Sequence, residues 1–389
     1  MKALLVATVQ SHICQFHRPL AAMLHEHGCE VHVAARNNLA EKNGLKLDFV
    51  ERVFDVPFQR SPFSAKNREA YKQLKEIIDG GGYDVVHCNT PVGGVLGRLA
   101  ARKARRHGTR VFYTAHGFHF YKGAPKKNWL IWYPVEKLMC RYTDELITIT
   151  QEDYDLATEK FPTHVARIHG VGANSAKYRK LSETECAQLR RELGYAEDER
   201  LLLCTGELLP NKNQITAIRA TDALRKKQSN VRLLLAGNGP TLPDLQAEVT
   251  ALGLREHVDF LGYRTDLERY ANIADVIVSC SYREGLPMNI VEGMLLSKPV
   301  VASCNRGHRE LVVPDVTGYM LPPTDAAAFA EKIAALLNDG NLSARMGQAG
   351  YERAQLYADT NVRRELSDIY GLLRGKNDEN RDIDTLYGK

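Results

Sequence analysis

In the stretch REGLPMNIVEGM, residues 283–294, two carboxylates, Glu284 and Glu292, stand eight positions apart. Pro287 occupies the place of a first helical residue, and Ile290, Val291, Met294 and Leu295 follow at helical spacing. The pattern predicts a helix from Pro287, entered from the apolar strand ADVIVSC. Glu284 then falls on the loop leaving that strand, and ligands of open α/β sheets bind at the carboxyl ends of parallel strands. Gly285 permits close backbone approach, and free amides at a helix start favour a phosphate or hydroxyl oxygen. Pro287 has no amide hydrogen, so Leu286 and Met288 are the expected donors. Glu292 lies roughly 8 Å further along at ~1.5 Å per residue. One carboxylate can address one end of an extended ligand and the second a group further along. Vicinal sugar hydroxyls suit a carboxylate, which accepts two hydrogen bonds at once. Taken alone, the spacing equally fits an acidic residue at a helix start and a solvent-facing glutamate.

The elements that must position these residues repeat along the chain. In the first half ALLVATV precedes HRPLAAMLHEHG, a helix stopped by Gly28, and EVHVAA. DVVHC, a helix through VGGVLGRLAARKARRHG, RVFYTA, a helix near NWLIWYPVEKLMCRY and ELITIT follow. The second half repeats the theme with LLLCTG, a helix from about Lys212, VRLLLAGNG, a helix from about Thr241, HVDFLG, ADVIVSC and KPVVAS. Strand and helix in alternation mean parallel sheets covered by helices on both faces. The expected fold class is α/β, with two doubly wound units in tandem. The polar join falls at about 169–185, which gives domains of 1–172 and 173–357. Late helices are expected over 325–338 and 341–374, the C-terminal helical part at about 358–375 packing back onto the first domain, and 376–389 reads as a flexible tail.

A chain of 389 residues is too long for one core, and its 44% hydrophobic and 25% charged content is that of a soluble globular protein. The eight cysteines are scattered without a CxxC pair, as expected of buried thiols in a reducing cytoplasm. No run reaches the ~18 apolar residues of a membrane span. The net charge of +5 is uneven: residues 1–172 hold 24 Lys+Arg against 17 Asp+Glu, or +7, and the remainder sums to −2. A basic first half suits an anionic partner, either a membrane surface or a phosphorylated substrate, and equally an ordinary solvated surface.

With KPVVAS behind it, SYREGLPMNIVEGMLLSKPVVAS closely resembles the E-x7-E motif of the family 4 glycosyltransferases. The resemblance extends through HGCEV, DVVHCNTPVGG, YTAHGF, AGNGP, FLGYRTDL and TGYMLPPTD, almost the whole chain. It implies a GT-B architecture, two facing Rossmann-like domains with a cleft between them. It also implies a retaining hexosyltransferase that draws on a nucleotide-sugar, with uridine the family's commonest base, and uses no metal or other cofactor. Carried over, Glu284 contacts hydroxyls of the transferred sugar and Glu292 the ribose hydroxyls. His116 addresses the donor sugar, with His119 a less secure neighbour, and Lys212 holds the pyrophosphate and stabilises the leaving nucleotide. Gly237 and Gly239 allow close backbone approach, and Tyr263 and Arg264 edge the nucleobase. Two departures stand out. Glu207 occupies a position where many members carry a phosphate-binding arginine, leaving Arg264 or Arg306 as substitutes. TVQSHICQFH replaces the usual glycine pair, so side chains such as His12 or Gln15, or longer-reaching backbone, serve there.

On the acceptor side, RLAARKARRHGTR carries six basic residues without an acid. Beyond it, Trp129 and Trp132, the only tryptophans, stand among Lys122, Lys126 and Lys127. Aromatic rings beside lysines suit a membrane interface, though a core helix with a basic outer face has the same composition. The expected acceptor is a glycan or polyprenyl-linked glycan of cell-surface polysaccharide biosynthesis, met in the cytoplasm or at the inner face of the membrane. No nucleic-acid module is visible. A nucleotide-sugar epimerase of the same architecture and a non-catalytic partner in glycan assembly are the alternatives. The absence of a G-x-G-x-x-G after the first strand argues against a nicotinamide dehydrogenase.

Overall fold

The computed structural model describes residues 1–41, 44–226 and 228–371, in two units: Met1–Gly172 with the chain from Asp359 onward, and Ala173–Ala358. The expected tail, 376–389, lies outside the described residues.

The first unit contains strands β1 (Lys2–Val9), β2 (Glu30–Arg36), β3 (Arg52–Asp55), β4 (Val85–Asn89), β5 (Arg110–Ala115), β6 (Glu145–Thr148) and β7 (Val165–Arg167). They form one parallel sheet in the order β3-β2-β1-β4-β5-β6-β7. The order reverses between β1 and β4, and such a switch point opens a crevice at the strand ends. β1 is buried from Ala3 to Val9, as a strand covered on both faces must be. The edge strands β3 and β7 went unexpected, because RVFD and VAR are short and leave no residue fully buried.

Helices α1 (Gln10–Phe16), α2 (Arg18–Glu26), α3 (Lys66–Gly81), α4 (Pro91–Ala100), α5 (Arg102–Arg105), α6 (Lys126–Met139) and α7 (Gln151–Lys160) cover this sheet. The single helix expected from Val92 onward divides at Ala101 into α4 and α5. α4 packs closely because it is glycine-rich: a Cβ at Gly97 would stand 2.5 Å from Cys88 Sγ. In the second unit α8 (Glu183–Leu193), α9 (Gln214–Arg225), α10 (Leu242–Ala251), α11 (Leu267–Ile273), α12 (Met288–Leu295), α13 (Arg306–Leu311), α14 (Ala326–Asn338) and α15 (Gly340–Ala354) alternate with strands. Those strands are β8 (Arg200–Thr205), β9 (Val231–Ala236), β10 (Val258–Gly262), β11 (Val276–Ser279), β12 (Val300–Ser303) and β13 (Gly318–Leu321), in the parallel order β10-β9-β8-β11-β12-β13. Here the switch point lies between β8 and β11.

The final helix, α16 (Asp359–Tyr370), returns to the first unit. It packs on α2, with Arg363 paired to Glu26 and the Tyr370 hydroxyl 2.6 Å from His87 Nδ1. The helix expected over 341–374 is therefore two helices, α15 and α16, broken near Ala358.

The basic run differs from its expected role at its first member. Arg98 is 1% exposed, donates to Glu136 Oε2 at 2.8 Å and to the Gly94 carbonyl at 2.9 Å, and lies over the Tyr113 ring. It is a core cation joining α4 to α6. The sequence hid this because Glu136 lies 38 residues away.

Candidate active site

Both switch points carry the chemistry. In the second unit the loop leaving β8 turns through Pro210–Lys212 and the loop leaving β11 carries Glu284. Asparagines stitch the loops together. Asn211 Nδ2 donates to the Arg283 carbonyl at 2.8 Å, and the Tyr282 amide returns a bond to the Asn211 carbonyl. Asn213, at φ +53°, donates to the carbonyls of Cys280 and Pro323. Asn289, in the first turn of α12, reaches the Thr205 carbonyl. Held this way, Lys212 Nζ stands 2.6 Å from Glu284 Oε1, the lysine 26% and the carboxylate 12% exposed. The two residues read separately in the sequence are thus one ion pair.

The glycines behave differently from expectation. A Cβ at Gly237 would fall 2.0 Å from the Gly206 carbonyl oxygen, and one at Gly239 2.2 Å from that of Leu208. Their small size is demanded by neighbouring backbone at the ends of β8 and β9, before any ligand is considered. Gly307 was not singled out in the sequence, yet a Cβ there would stand 2.5 Å from the Gly285 carbonyl and 2.6 Å from Glu284 Cβ. The start of α13 lies directly on the Glu284 loop. Behind it His308 is fully buried, its Nδ1 donating to the Ser303 carbonyl at 2.6 Å and its Nε2 accepting from Ser279 Oγ. Burial lowers its pKa, and the ring serves as a neutral post under the loop.

Pro287 caps α12 rather than beginning it, and Glu292 sits in the second turn. Burial pushes the Glu292 carboxyl up to about 7, opposed by a hydrogen bond from Tyr178 and by the charge of Lys177. Both partners come from the join, 169–185, where no periodicity marked them. Tyr178 is itself raised, by burial first and then by Glu292. Because the native carboxyl keeps its proton where an unfolded one has lost it, stability falls as pH rises from 4.5 through about 7. Glu292→Gln should match wild type in unfolding free energy at pH 4.5 and exceed it at pH 8 by on the order of 2–3 kcal/mol. Identical thermal-unfolding curves at both pH values would contradict this.

Glu207 is exposed, and its carbonyl accepts from Gln214 Nε2. Tyr263 is 45% exposed at the end of β10. Arg264 is held by Asp266 at 2.6 Å, so it enters phosphate binding only by leaving that carboxylate. Arg306 begins α13 beside the Glu284 loop.

In the first unit β1, β4 and β5 deliver His12 through α1, Asn89 and His116 to one corner. His12 Nε2 is 3.2 Å from His116 Nε2, and His116 Nε2 is 3.4 Å from Asn89 Oδ1. Burial holds His116 down at about 4 and His87 at about 3, so both rings are neutral at pH 7. His12 and His17 are lowered by burial and then by the neighbouring histidines. His17 was not singled out in the sequence. Gln15 is exposed. Trp129 and Trp132 pack against the first-unit core, Trp129 donating to the Tyr121 carbonyl and Trp132 stacking on His119. The apolar residues that α6 exposes are instead Leu130 and Ile131, 77% and 53% exposed, and Leu138. Lys122, Lys126 and Lys127 are exposed beside them.

Two parallel-sheet Rossmann-like units, one of seven strands and one of six, give the GT-B class of fold. Residues 18–171 match the family described as Glycosyltransferase Family 4, and residues 187–353 that described as Glycosyl transferases group 1. The putative glycosyltransferase EpsD of Bacillus subtilis (strain 168) is 44% identical over 371 residues, covering 95% of this chain and 96% of that protein. The chain belongs to the family 4 glycosyltransferases. An Escherichia coli relative, UDP-Gal:alpha-D-GlcNAc-diphosphoundecaprenol alpha-1,3-galactosyltransferase, is 25% identical over 312 residues, 78% of this chain and 80% of that one. The crystal structure of Anabaena HepE with UDP and glucose shares the fold, with a TM-score of 0.78 and 22% identity over 96% of this chain and all of that one.

Proposed function

We propose that the chain moves a sugar from a UDP-sugar to a polyprenyl-diphosphate-linked glycan, with retention at the anomeric carbon and without a metal. The observation that carries this reading is the Lys212–Glu284 pair at 2.6 Å. A donor splits the pair along its own polarity, the diphosphate taking Lys212 and the sugar hydroxyls taking Glu284. Transfer breaks the bond from C1 to the diphosphate oxygen and forms one from C1 to an acceptor oxygen, whose proton passes to the departing diphosphate. Charge grows on the departing diphosphate, where Lys212 stabilises it. Glu292 binds the ribose, and His116 acts on the transferred sugar. The E. coli and Anabaena proteins support the base and the acceptor class, being named for or crystallised with UDP compounds.

The test is incubation of the purified chain, in a chelator, with UDP-sugars and a synthetic polyprenyl diphosphate sugar. The product's anomeric configuration is then read by NMR. An axial donor should give an axial product; an equatorial product, or activity restored only by added magnesium or manganese, would overturn the corresponding part.

We also propose peripheral contact with anionic lipid at the inner face of the cell membrane. Among the described residues no helix is long and apolar enough to cross a membrane. The contact is assigned to Leu130 and Ile131 with Lys122, Lys126 and Lys127. Each cation near an anionic surface contributes ~1 kcal/mol, so reversing the three lysines to glutamate should weaken vesicle binding on the order of a hundredfold. Cosedimentation with anionic vesicles at low salt measures this; wild-type protein left in the supernatant would remove the membrane from the account.

A further inference from the structure

The corner of the first unit gathers three imidazoles, those of His12, His17 and His116. The His12 and His116 rings cross at 4.5 Å between centroids, and His17 packs 5.2 Å from one and 5.3 Å from the other. One ring nitrogen from each lies within 4.8 Å of the other two. Residue spacing shows no metal-ligand set here; the parallel sheet assembles one by bringing the ends of β1 and β5 to the same edge.

Two independent observations give the cluster a use. The first is distance. Ligands ~2.0–2.1 Å from a tetrahedral ion stand roughly 3.3 Å apart. His12 Nε2 and His116 Nε2 already stand 3.2 Å apart, and the wider separations close by small swings of those partly buried rings. The second is an orphan. His17 is 4% exposed, and its Nε2 is buried without a hydrogen-bond partner. A buried polar atom left unpaired costs about 1–3 kcal/mol, and a cation would satisfy it. The neighbouring His87 does not join the set, since Tyr370 and Thr114 take both of its nitrogens at 2.6 and 2.7 Å.

We propose that His12, His17 and His116 bind one zinc-class divalent ion, and that the bound ion stops transfer by withdrawing His116. Three imidazoles with an open fourth position suit zinc, cobalt, nickel or copper, whereas magnesium takes oxygen ligands. One of the two facing Nε2 atoms now carries the proton of their hydrogen bond. That proton moves to the same ring's Nδ1 through solvent, so both lone pairs become available without net proton release. Binding stands on the first unit's geometry alone; the stop in activity rests on the transferase reading.

The test is a cobalt(II) titration of the full, tag-free chain after chelator treatment, followed by visible absorption. The expected result is the intense bands of a low-coordinate cobalt site, saturating at one ion per chain and bleached by zinc. His12→Asn and His17→Asn should each weaken binding at least tenfold, while His107→Asn, on an exposed turn, should not. His17 is buried, so circular dichroism checks that variant's fold; His12, less buried, supplies the result if it fails. Bands that are absent, or that survive both variants unchanged, overturn the site. Zinc should inhibit transfer by wild type and a chelator should restore it, whereas the residual activity of His12→Asn should be insensitive to zinc. Equal inhibition of that variant overturns the stop mechanism. A parallel UDP titration separates the two readings: cobalt binding without UDP binding removes the transferase reading and leaves the metal site.

Discussion

Lys212→Ala is expected to lower turnover by a factor of about 100 to 1000, the range seen when one preorganised charge-stabilising group is removed. The Michaelis constant for donor should change much less. The physical reason is that Lys212 faces Glu284 in the free protein, 2.6 Å away, and so its charge is already balanced before substrate arrives. Donor binding exchanges one anionic partner for another and gains modestly. As the C1–oxygen bond breaks, negative charge concentrates on the departing diphosphate and the lysine's stabilisation grows. An interaction stronger in the transition state than in the ground state appears in kcat. Removing Lys212 also strands Glu284 against the diphosphate, which adds repulsion. Steady-state kinetics with varied donor checks this; an effect confined to the Michaelis constant would make Lys212 a uniform binder.

Arg98→Ala is expected to destabilise the first unit by about 3–5 kcal/mol, the cost of breaking a buried ion pair from one side. Glu136, at 9% side-chain exposure, would lose its cation and retain the hydrogen bond from the Tyr113 hydroxyl at 3.3 Å. Arg98→Met combined with Glu136→Leu should recover most of the loss, since both charges then leave the core together. Denaturant unfolding of the first unit's transition measures both. A loss under 0.5 kcal/mol for the single variant would show the pair to be solvated. The same pair fixes α6, so the single variant should also weaken vesicle binding without touching a surface lysine.

The alternation of apolar strands with helix-length segments was legible because both sheets are parallel and buried on both faces. Their strands therefore read as continuous apolar runs such as ALLVATV and ADVIVSC. The position of Glu284 followed from the loop leaving ADVIVSC, and Lys212 came with the family resemblance; that the two meet at one switch point became visible only with the strand order. What stayed hidden depends on distance in the chain. Tyr178 reaches Glu292 from a segment without periodicity, and Arg98 finds Glu136 only when α4 and α6 pack. His17 and Gly307 carry no local signal, because their roles are set by a neighbouring ring and a neighbouring loop. The tryptophans misled for a related reason: composition fixes which residues α6 contains, while only packing decides which of its faces meets the core.

The central claim is that the second unit binds a uridine diphosphate sugar, with Glu292 on the ribose and Lys212 on the diphosphate. Calorimetric titration of UDP into wild type and Glu292→Ala at pH 8, where the carboxyl is ionised, tests it most directly. One UDP per wild-type chain and at least a tenfold loss in the variant are expected, since hydrogen bonds to a charged group contribute ~1.5–3 kcal/mol. Equal affinity in the two proteins, or no UDP binding by wild type, would contradict it.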